Sequence, residues 1–191
     1  MNKFASVAGL AVAATAMTAS ADVLLEVDLS VVGQITITAT DGLSAGSASG
    51  LDGIGVLMAD FYTGPATSPL FSSVVPGGDL SSASDATDHS PDIARNGGGN
   101  GLNIWSFASD SQASFTAGSV AFTGSGAWNI VGADAYADMV AGNSSGDIFA
   151  FANTDDDISS STNIGTWVVV PAPGSLALIG LGGIAAGRRR R

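Results

Sequence analysis

The stretch LLEVDLSVVGQITITAT, residues 24–40, decides the fold class. Apolar side chains take alternate positions in it, first at Leu25, Val27, Leu29 and Val31 and then at Ile35 and Ile37. Acidic residues, serine and threonine stand between them. Successive side chains of a strand point to opposite faces, so this period of two predicts two strands with one buried face. The pair Asp41-Gly42 then predicts a turn.

Similar segments recur along the chain and favour strands over helices. Between residues 22 and 170 there is no lysine, and a solvated helix face would have to be built from Ser, Thr, Asn and Gly, which are poor helix formers. Further strands are predicted at residues 54–62, 102–109, 112–123, 128–131, 147–151 and 164–170, and residues 134–140 predict a short helical turn. We therefore expect an all-β fold, an antiparallel β-sandwich that is jelly-roll-like or Ig-like.

One long Gly/Ser/Pro-rich segment, residues 63–101, interrupts the strand pattern. It holds four of the six prolines, two glycine clusters and the polar run SSASDATDHSPD. A loop of this length is either irregular filler or a functional excursion, and its composition favours filler.

Charge divides the 191 residues into three parts. Five of the six basic residues lie at the ends, while all 17 acidic residues lie between Asp22 and Asp157. Residues 22–170 therefore hold 17 acidic residues against Arg95 alone, a formal charge of −16. Such acidity excludes nucleic acid as a partner, because phosphate backbones bind clustered Lys and Arg. The absence of cysteine excludes disulfides, thiolate zinc sites and a cysteine nucleophile.

Residues 1–21 have the pattern of a signal peptide with a signal helix. Lys3 supplies a positive start, VAGLAVAATA at residues 7–16 is the apolar run, and Ala19-Ser20-Ala21 is the small-x-small pattern that signal peptidase accepts. We expect cleavage between Ala21 and Asp22, with Ala19 and Ala21 as the small residues of the recognised motif. The exported domain is then residues 22–170. The alternative is a buried N-terminal helix or strand.

Residues 171–191, PAPGSLALIGLGGIAAGRRRR, predict a C-terminal hydrophobic helix. Its apolar stretch, residues 174–187, has 14 residues and as a helix would rise about 21 Å, against about 30 Å for the hydrocarbon core of a bilayer. The arginines Arg188, Arg189, Arg190 and Arg191 would stay cytoplasmic, so the helix would anchor the chain in the inner membrane. The alternative is a core helix followed by a solvated basic tail.

The proline motif, the small-residue helix and the arginine cluster together resemble the PEP-CTERM sorting signal of Gram-negative bacteria. The matching motif is Val170, Pro171, Ala172 and Pro173, with Ala172 where the family usually has Glu. The resemblance implies signal peptidase and an exosortase-type transpeptidase as partners during export. It also implies an exported protein that passes through an inner-membrane-anchored intermediate to the cell surface or the extracellular matrix.

The residues available for catalysis are few, so no catalytic residue and no cofactor are assigned. His89 is the sole histidine and lies in the long loop, where nothing in the sequence fixes a Ser-His-Asp geometry. Aspartate pairs are weak indicators of glycoside hydrolysis, because so many aspartates pair by chance. We expect a non-catalytic protein.

Four groups of residues are candidate binding sites. Asp85, Asp88 and Asp92, and the run Asp155, Asp156 and Asp157, are candidates for calcium, but they match no calcium loop and suit solvated turns, so no metal is assigned. Thr36, Thr38 and Thr40 resemble a rank on an ice-binding face, but threonine is common on any solvated strand. Trp105, Trp128 and Trp167 would serve equally as core residues or as platforms for sugar rings. The alternative function is therefore a carbohydrate-binding module, with extracellular polysaccharide as its partner.

Overall fold

The structure is a computed structural model that describes residues 21–64, 70–73, 78–84, 91–95, 99–105, 112–131, 133–152 and 155–170. Within these ranges the chain forms thirteen strands, one α-helix and one 3-10 helix. The strands are β1 (Val23–Asp28), β2 (Gln34–Ala39), β3 (Ala48–Leu51), β4 (Val56–Met58), β5 (Leu70–Ser73), β6 (Ser81–Ser82), β7 (Asp92–Arg95), β8 (Leu102–Trp105), β9 (Gln112–Phe115), β10 (Phe122–Thr123), β11 (Ser125–Asn129), β12 (Ser145–Ala150) and β13 (Thr162–Val169). The helices are α1 (Ala133–Val140) and the 3-10 helix Asp155–Ser160.

The hairpin β1–β2 confirms the prediction from residues 24–40. Its strands pair antiparallel, with Val27 opposite Ile37 and Glu26 opposite Thr38. Four of the six apolar residues of the pattern, Leu25, Val27, Ile35 and Ile37, are fully buried, and Glu26 and Thr38 are exposed on the other face. The alternation breaks earlier than expected, because β1 ends at Asp28 and Val31 lies in the turn with 54% of its surface exposed.

Nine strands form one continuous sheet in the order β11-β2-β1-β13-β12-β4-β8-β7-β5. Two two-stranded sheets, β10-β6 and β3-β9, complete the described strands. The β-rich, mostly antiparallel character is as predicted, but the strands are not divided between two sheets as in a sandwich. The large sheet instead curls, so that its edge strands β11 and β5 have Cα atoms within 8 Å of each other. Large twisted sheets curl in this way because the twist accumulates from strand to strand.

A second difference is the parallel pairing of β1 with β13, where Val27 lies opposite Val169. The first and last strands of the domain are therefore neighbours inside the sheet. Leu25 lies opposite Trp167 in this pair, and both side chains are fully buried. Burial of both partners explains why the two strands stay together although a whole domain separates them in sequence.

The curled sheet encloses one hydrophobic core. Trp167 is at its centre, with its ring centroid 4.9 Å from that of Phe61 and its indole N–H donated to the carbonyl of Ala59 at 3.1 Å. Trp128 is buried near the curled edge, where its N–H donates to the carbonyl of Pro91 at 3.0 Å. Both indoles thus combine apolar burial with a satisfied donor, as buried tryptophans do.

The segment 63–101 is more ordered than its composition predicts. Three strands, β5, β6 and β7, fall within it, and Leu80 and Ile93 are core residues. The filler interpretation is therefore wrong for these parts, because short apolar pieces between the glycines and prolines pair with existing strands. His89 lies outside the described residues.

Another predicted strand is interrupted by a turn that the sequence pattern did not indicate. The single strand predicted at residues 112–123 is two strands, β9 and β10, separated by a turn in which the N–H of Ser119 donates to Thr116 and Gly118 has φ of +78°. The predicted helical turn is confirmed as α1. The predicted signal helix and C-terminal helix lie outside the described residues, and within those residues the structure contains no helix long and apolar enough to cross a membrane.

Candidate functional site

The C-terminal junction is built by the last strand of the large sheet. β13 lies between β1 and β12, and its final residues remain paired to both neighbours. The N–H of Val169 donates to Ser144 at 2.7 Å, and the N–H of Val170 donates to Val27 at 2.8 Å. Val170 is the first residue of the predicted sorting motif, so the motif begins at a residue that is bonded to the sheet and is the last one the structure describes. Pro171, Ala172 and Pro173 lie outside the described residues, as do Arg188, Arg189, Arg190 and Arg191.

The N-terminal junction is fixed to the same strand. The carbonyl of Asp22 accepts bonds from both the N–H and the hydroxyl of Thr166, each at 3.0 Å. Its carboxylate accepts the N–H of Leu43 at 2.9 Å. Asp22, the first residue after the predicted signal peptide, is therefore bonded to the sheet and to the segment after β2. Ala19 lies outside the described residues.

A buried polar cluster surrounds Arg95, the single basic residue between positions 22 and 170. Its side chain is 7% exposed and pairs with Asp138 of α1 at 3.0 Å. A second guanidinium nitrogen donates to the carbonyl of Gly64 at 2.6 Å, and the guanidinium carbon lies 3.5 Å from the centroid of the Tyr62 ring. Cation–π contact and a charge-assisted bond together make a buried arginine tolerable.

The same cluster carries two groups without partners. The Tyr62 hydroxyl and the Arg95 Nε are buried, and neither has a hydrogen-bond partner in the part of the chain that the structure describes. Burial raises the pKa of Tyr62, the nearby Arg95 guanidinium opposes that rise and Asp138 adds to it. Sequence reasoning missed this cluster. The isolated arginine beside Ile93 and Ala94 was the available signal, since a lone cation in an apolar strand needs partners.

The three tryptophans are not equivalent. Trp128 and Trp167 are fully buried and belong to the core, which removes both as platforms for sugar rings. Trp105 ends β8 and is half-buried, directly across the strand pair from Asp92 of β7.

The remaining candidates are not brought together into a site. Among the described residues, no group of three or more acidic or histidine side chains could hold a metal ion. Asp85 and Asp88 lie outside those residues, and so do the side chains of Asp155 and Asp156. The backbone carbonyl of Asp157 caps the 3-10 helix by accepting the hydroxyls of Ser160 and Ser161.

The threonine rank is shorter than predicted, because β2 ends at Ala39 and Thr40 lies beyond it, with its hydroxyl donating to the carbonyl of Val23. Thr36 lies opposite Asp28 and Ala127, and Thr38 lies opposite Glu26 and Ser125. No flanking position repeats threonine, so the described sheet offers no flat threonine array of the kind an ice-binding face needs.

In sequence, the last strand is followed by the proline motif, the apolar stretch and the four terminal arginines. The family model described as the PEP-CTERM protein-sorting motif matches residues 169–191. The C-terminal tail is therefore a PEP-CTERM sorting motif, as the resemblance predicted, and the match starts at the last residue of β13. No curated protein and no solved structure matches the chain.

Proposed function

We propose that this protein is an exported, non-catalytic component of the cell surface or extracellular matrix, delivered by its PEP-CTERM tail. The observation that carries the proposal is the match of the tail to the sorting motif, which starts at Val169, the last residue of β13. The two predicted processing points, after Ala21 and near Pro171, bracket the folded residues. Both cuts would release the domain with its hydrogen bonding intact.

An acidic matrix role is consistent with the charge of the exported part. Residues 22–170 carry one arginine against 17 acidic residues. A large net charge keeps a protein soluble and apart from its copies, which suits dispersal among polysaccharide chains. The buried polar cluster around Arg95 contains an ion pair with Asp138, and we assign no reaction to this cluster.

Intact mass measurement tests the proposal. Protein recovered from cells that contain an exosortase should have lost residues 1–21 and be trimmed near Pro171 to Pro173, with the product in the surface or extracellular fraction. The double variant Pro171→Ala, Pro173→Ala tests the motif and should keep its tail and stay with the inner membrane. A full-length species in the cytoplasm would refute the proposal.

Carbohydrate binding is the second candidate, and Trp105 is the observation that favours it. A half-buried indole offers a face on which a sugar ring can stack, and Trp105 lies opposite Asp92 in the strand pair β7–β8. We expect Trp105→Ala to abolish any binding to matrix polysaccharide, while Trp105→Phe keeps part of it. If the unaltered protein binds no polysaccharide on a glycan array, this second function is excluded.

A further inference from the structure

Three valines are exposed at one end of the large sheet. Val31 is 54% exposed, Val32 87% and Val131 89%. Val31 and Val32 lie in the turn between β1 and β2. Val131 follows β11, and the residue before it, Ile130, donates its N–H to the carbonyl of Gly33 in the same turn at 2.8 Å. We call these three residues the valine tip. Single exposed apolar residues are ordinary, but three at one projecting end are not.

The chain leaves the described fold at the same end. β13 runs parallel to β1, and Val170 is bonded to Val27, near the end of β1. From that level, the hairpin continues for about three residues before it turns, a projection of roughly 10 Å at about 3.3 Å per residue. β13 therefore ends on the side of the sheet on which the valine tip projects.

The length of the connection limits how far the domain can stand from a membrane. Four residue steps lead from Val170 to Gly174, where the apolar stretch begins, and they span at most about 14 Å. The headgroup layer of one leaflet is roughly 5–8 Å thick. A tip that projects about as far as the connection can reach must therefore meet that layer when the apolar stretch lies in the hydrocarbon.

The local sequence also suits a lipid surface. Residues 29–35 and 125–133 contain no charged side chain, and the nearest carboxylates are Asp28, which accepts the N–H of Ser30, and the exposed Asp134 of α1. The three valines themselves are apolar and uncharged, so anionic headgroups do not repel them. The apolar stretch of the tail is also shorter than the hydrocarbon core, which draws the domain further towards the bilayer.

We propose that, before the tail is cut, the valine tip rests in the headgroup region of the bilayer and holds the domain against the membrane. This inference rests on the proposed function, because it requires the tail to enter the membrane. The partner is the lipid surface itself. The contact fixes the proline motif at the depth of the headgroups, where a membrane-embedded transpeptidase would reach it.

Single-cysteine labelling tests the contact, since the chain contains no cysteine. Val31→Cys and Val32→Cys would each carry an environment-sensitive fluorophore in the full chain, expressed in a host without an exosortase and transferred to nanodiscs. The matched control is Leu51→Cys, because Leu51 is 53% exposed in β3, next to the start of β13 rather than its end. Tryptophan emission of each labelled protein confirms that it is folded.

We expect quenchers attached to the lipid headgroups to reduce the signal at Val31 and Val32 severalfold more than at Leu51. Equal quenching at the tip and at Leu51 in protein that is held in nanodiscs would overturn the inference alone. Protein that does not enter nanodiscs would instead overturn the proposed anchoring by the tail. A tip signal that changes when two copies share a nanodisc, but that the headgroup quenchers do not reduce, would overturn the lipid contact in favour of self-association.

Discussion

Tyr62 and Arg95 show how one buried cation shapes its surroundings. The guanidinium lies on the Tyr62 ring and pairs with Asp138, whose side chain is 59% exposed. Asp138 can be solvated without its partner, but Arg95 cannot. The cluster therefore depends on Arg95 being held from several sides, by ring, carboxylate and carbonyl together.

Removing the hydroxyl of Tyr62 and removing that of Tyr136 should change the free energy of unfolding in opposite directions. Tyr62→Phe keeps the ring under Arg95 and removes a buried hydroxyl that has no partner among the described residues. We expect the free energy of unfolding to rise by about 1 kcal/mol. Tyr136→Phe removes a bond to the carbonyl of Leu29 and should lower it by about 1 kcal/mol. Urea unfolding at pH 7 measures both, and a destabilised Tyr62→Phe would contradict the reasoning.

Burial of Tyr62 also predicts a dependence on pH. The pKa of Tyr62 in the folded protein is raised above the ordinary value of about 10. Above that pH the unfolded chain loses the proton while the folded chain keeps it. Stability should be unaffected below about pH 10 and then fall by up to about 1.4 kcal/mol per pH unit from this group. Tyr62→Phe should lack this part of the loss in unfolding titrations between pH 9 and about 11.5. Identical alkaline profiles for the two proteins would contradict it.

At the scale of elements, the alternation in residues 24–40 predicts two strands and most of their buried residues, but not the turn at residues 31–33, because the turn signal in the sequence is Asp41-Gly42. It could not predict the parallel partner β13, because strand direction across a whole domain leaves no local pattern. Apolar segments such as residues 112–123 were found, but the turn inside that segment was not. The strands β5, β6 and β7 were missed because residues 63–101 are dominated by Gly, Ser and Pro.

The candidate site likewise has a part that the sequence predicts, the tail, and a part that it does not, the cluster around Arg95. The tail is encoded locally, by prolines, an apolar run and arginines in order, so the sequence was sufficient. The Arg95 cluster joins β7, α1 and the residues after β4, and such non-local contacts have no signature in a single sequence. Whether a tryptophan is core or surface is also a property of the assembled sheet.

Two turn glycines allow a matched test of how closely elements approach. Gly33 and Gly55 have nearly equal φ, +75° and +73°, so a side chain costs similar backbone strain at each. An added Cβ at Gly33 meets nothing within 4 Å, whereas at Gly55 it would lie 2.0 Å from the carbonyl oxygen of Ile104. We expect Gly33→Ala to cost about 1 kcal/mol and Gly55→Ala about 3 kcal/mol. Denaturant unfolding of the two variants measures the difference, and equal losses would show that β4 and β8 can separate freely.

For the whole molecule, the dominant property is acidity with little internal compensation. The carboxylates repel one another, and Arg95 is the single basic residue in the exported part. Raising ionic strength from 0.01 to 0.15 M shortens the screening length from about 30 to about 8 Å. If screening recovers about 1 kcal/mol, the Tm of the processed protein should rise by about 2–4 °C. NaCl and KCl at equal ionic strength should give the same shift, and a Tm that does not move with salt would contradict this account.

The parallel pair β1–β13 has a consequence in time as well as in space. A chain that is exported from its N terminus delivers β1 first and β13 last, yet β1 needs β13 as its neighbour, and Trp167 of β13 fills the centre of the core. No intermediate length of chain can complete the sheet. The last strand emerges just as the proline motif reaches the membrane, so maturation of the fold and arrival of the sorting signal coincide. A chain that ends before β13 would lack the last strand and the sorting tail. Only chains long enough to complete the sheet would therefore carry the sorting signal.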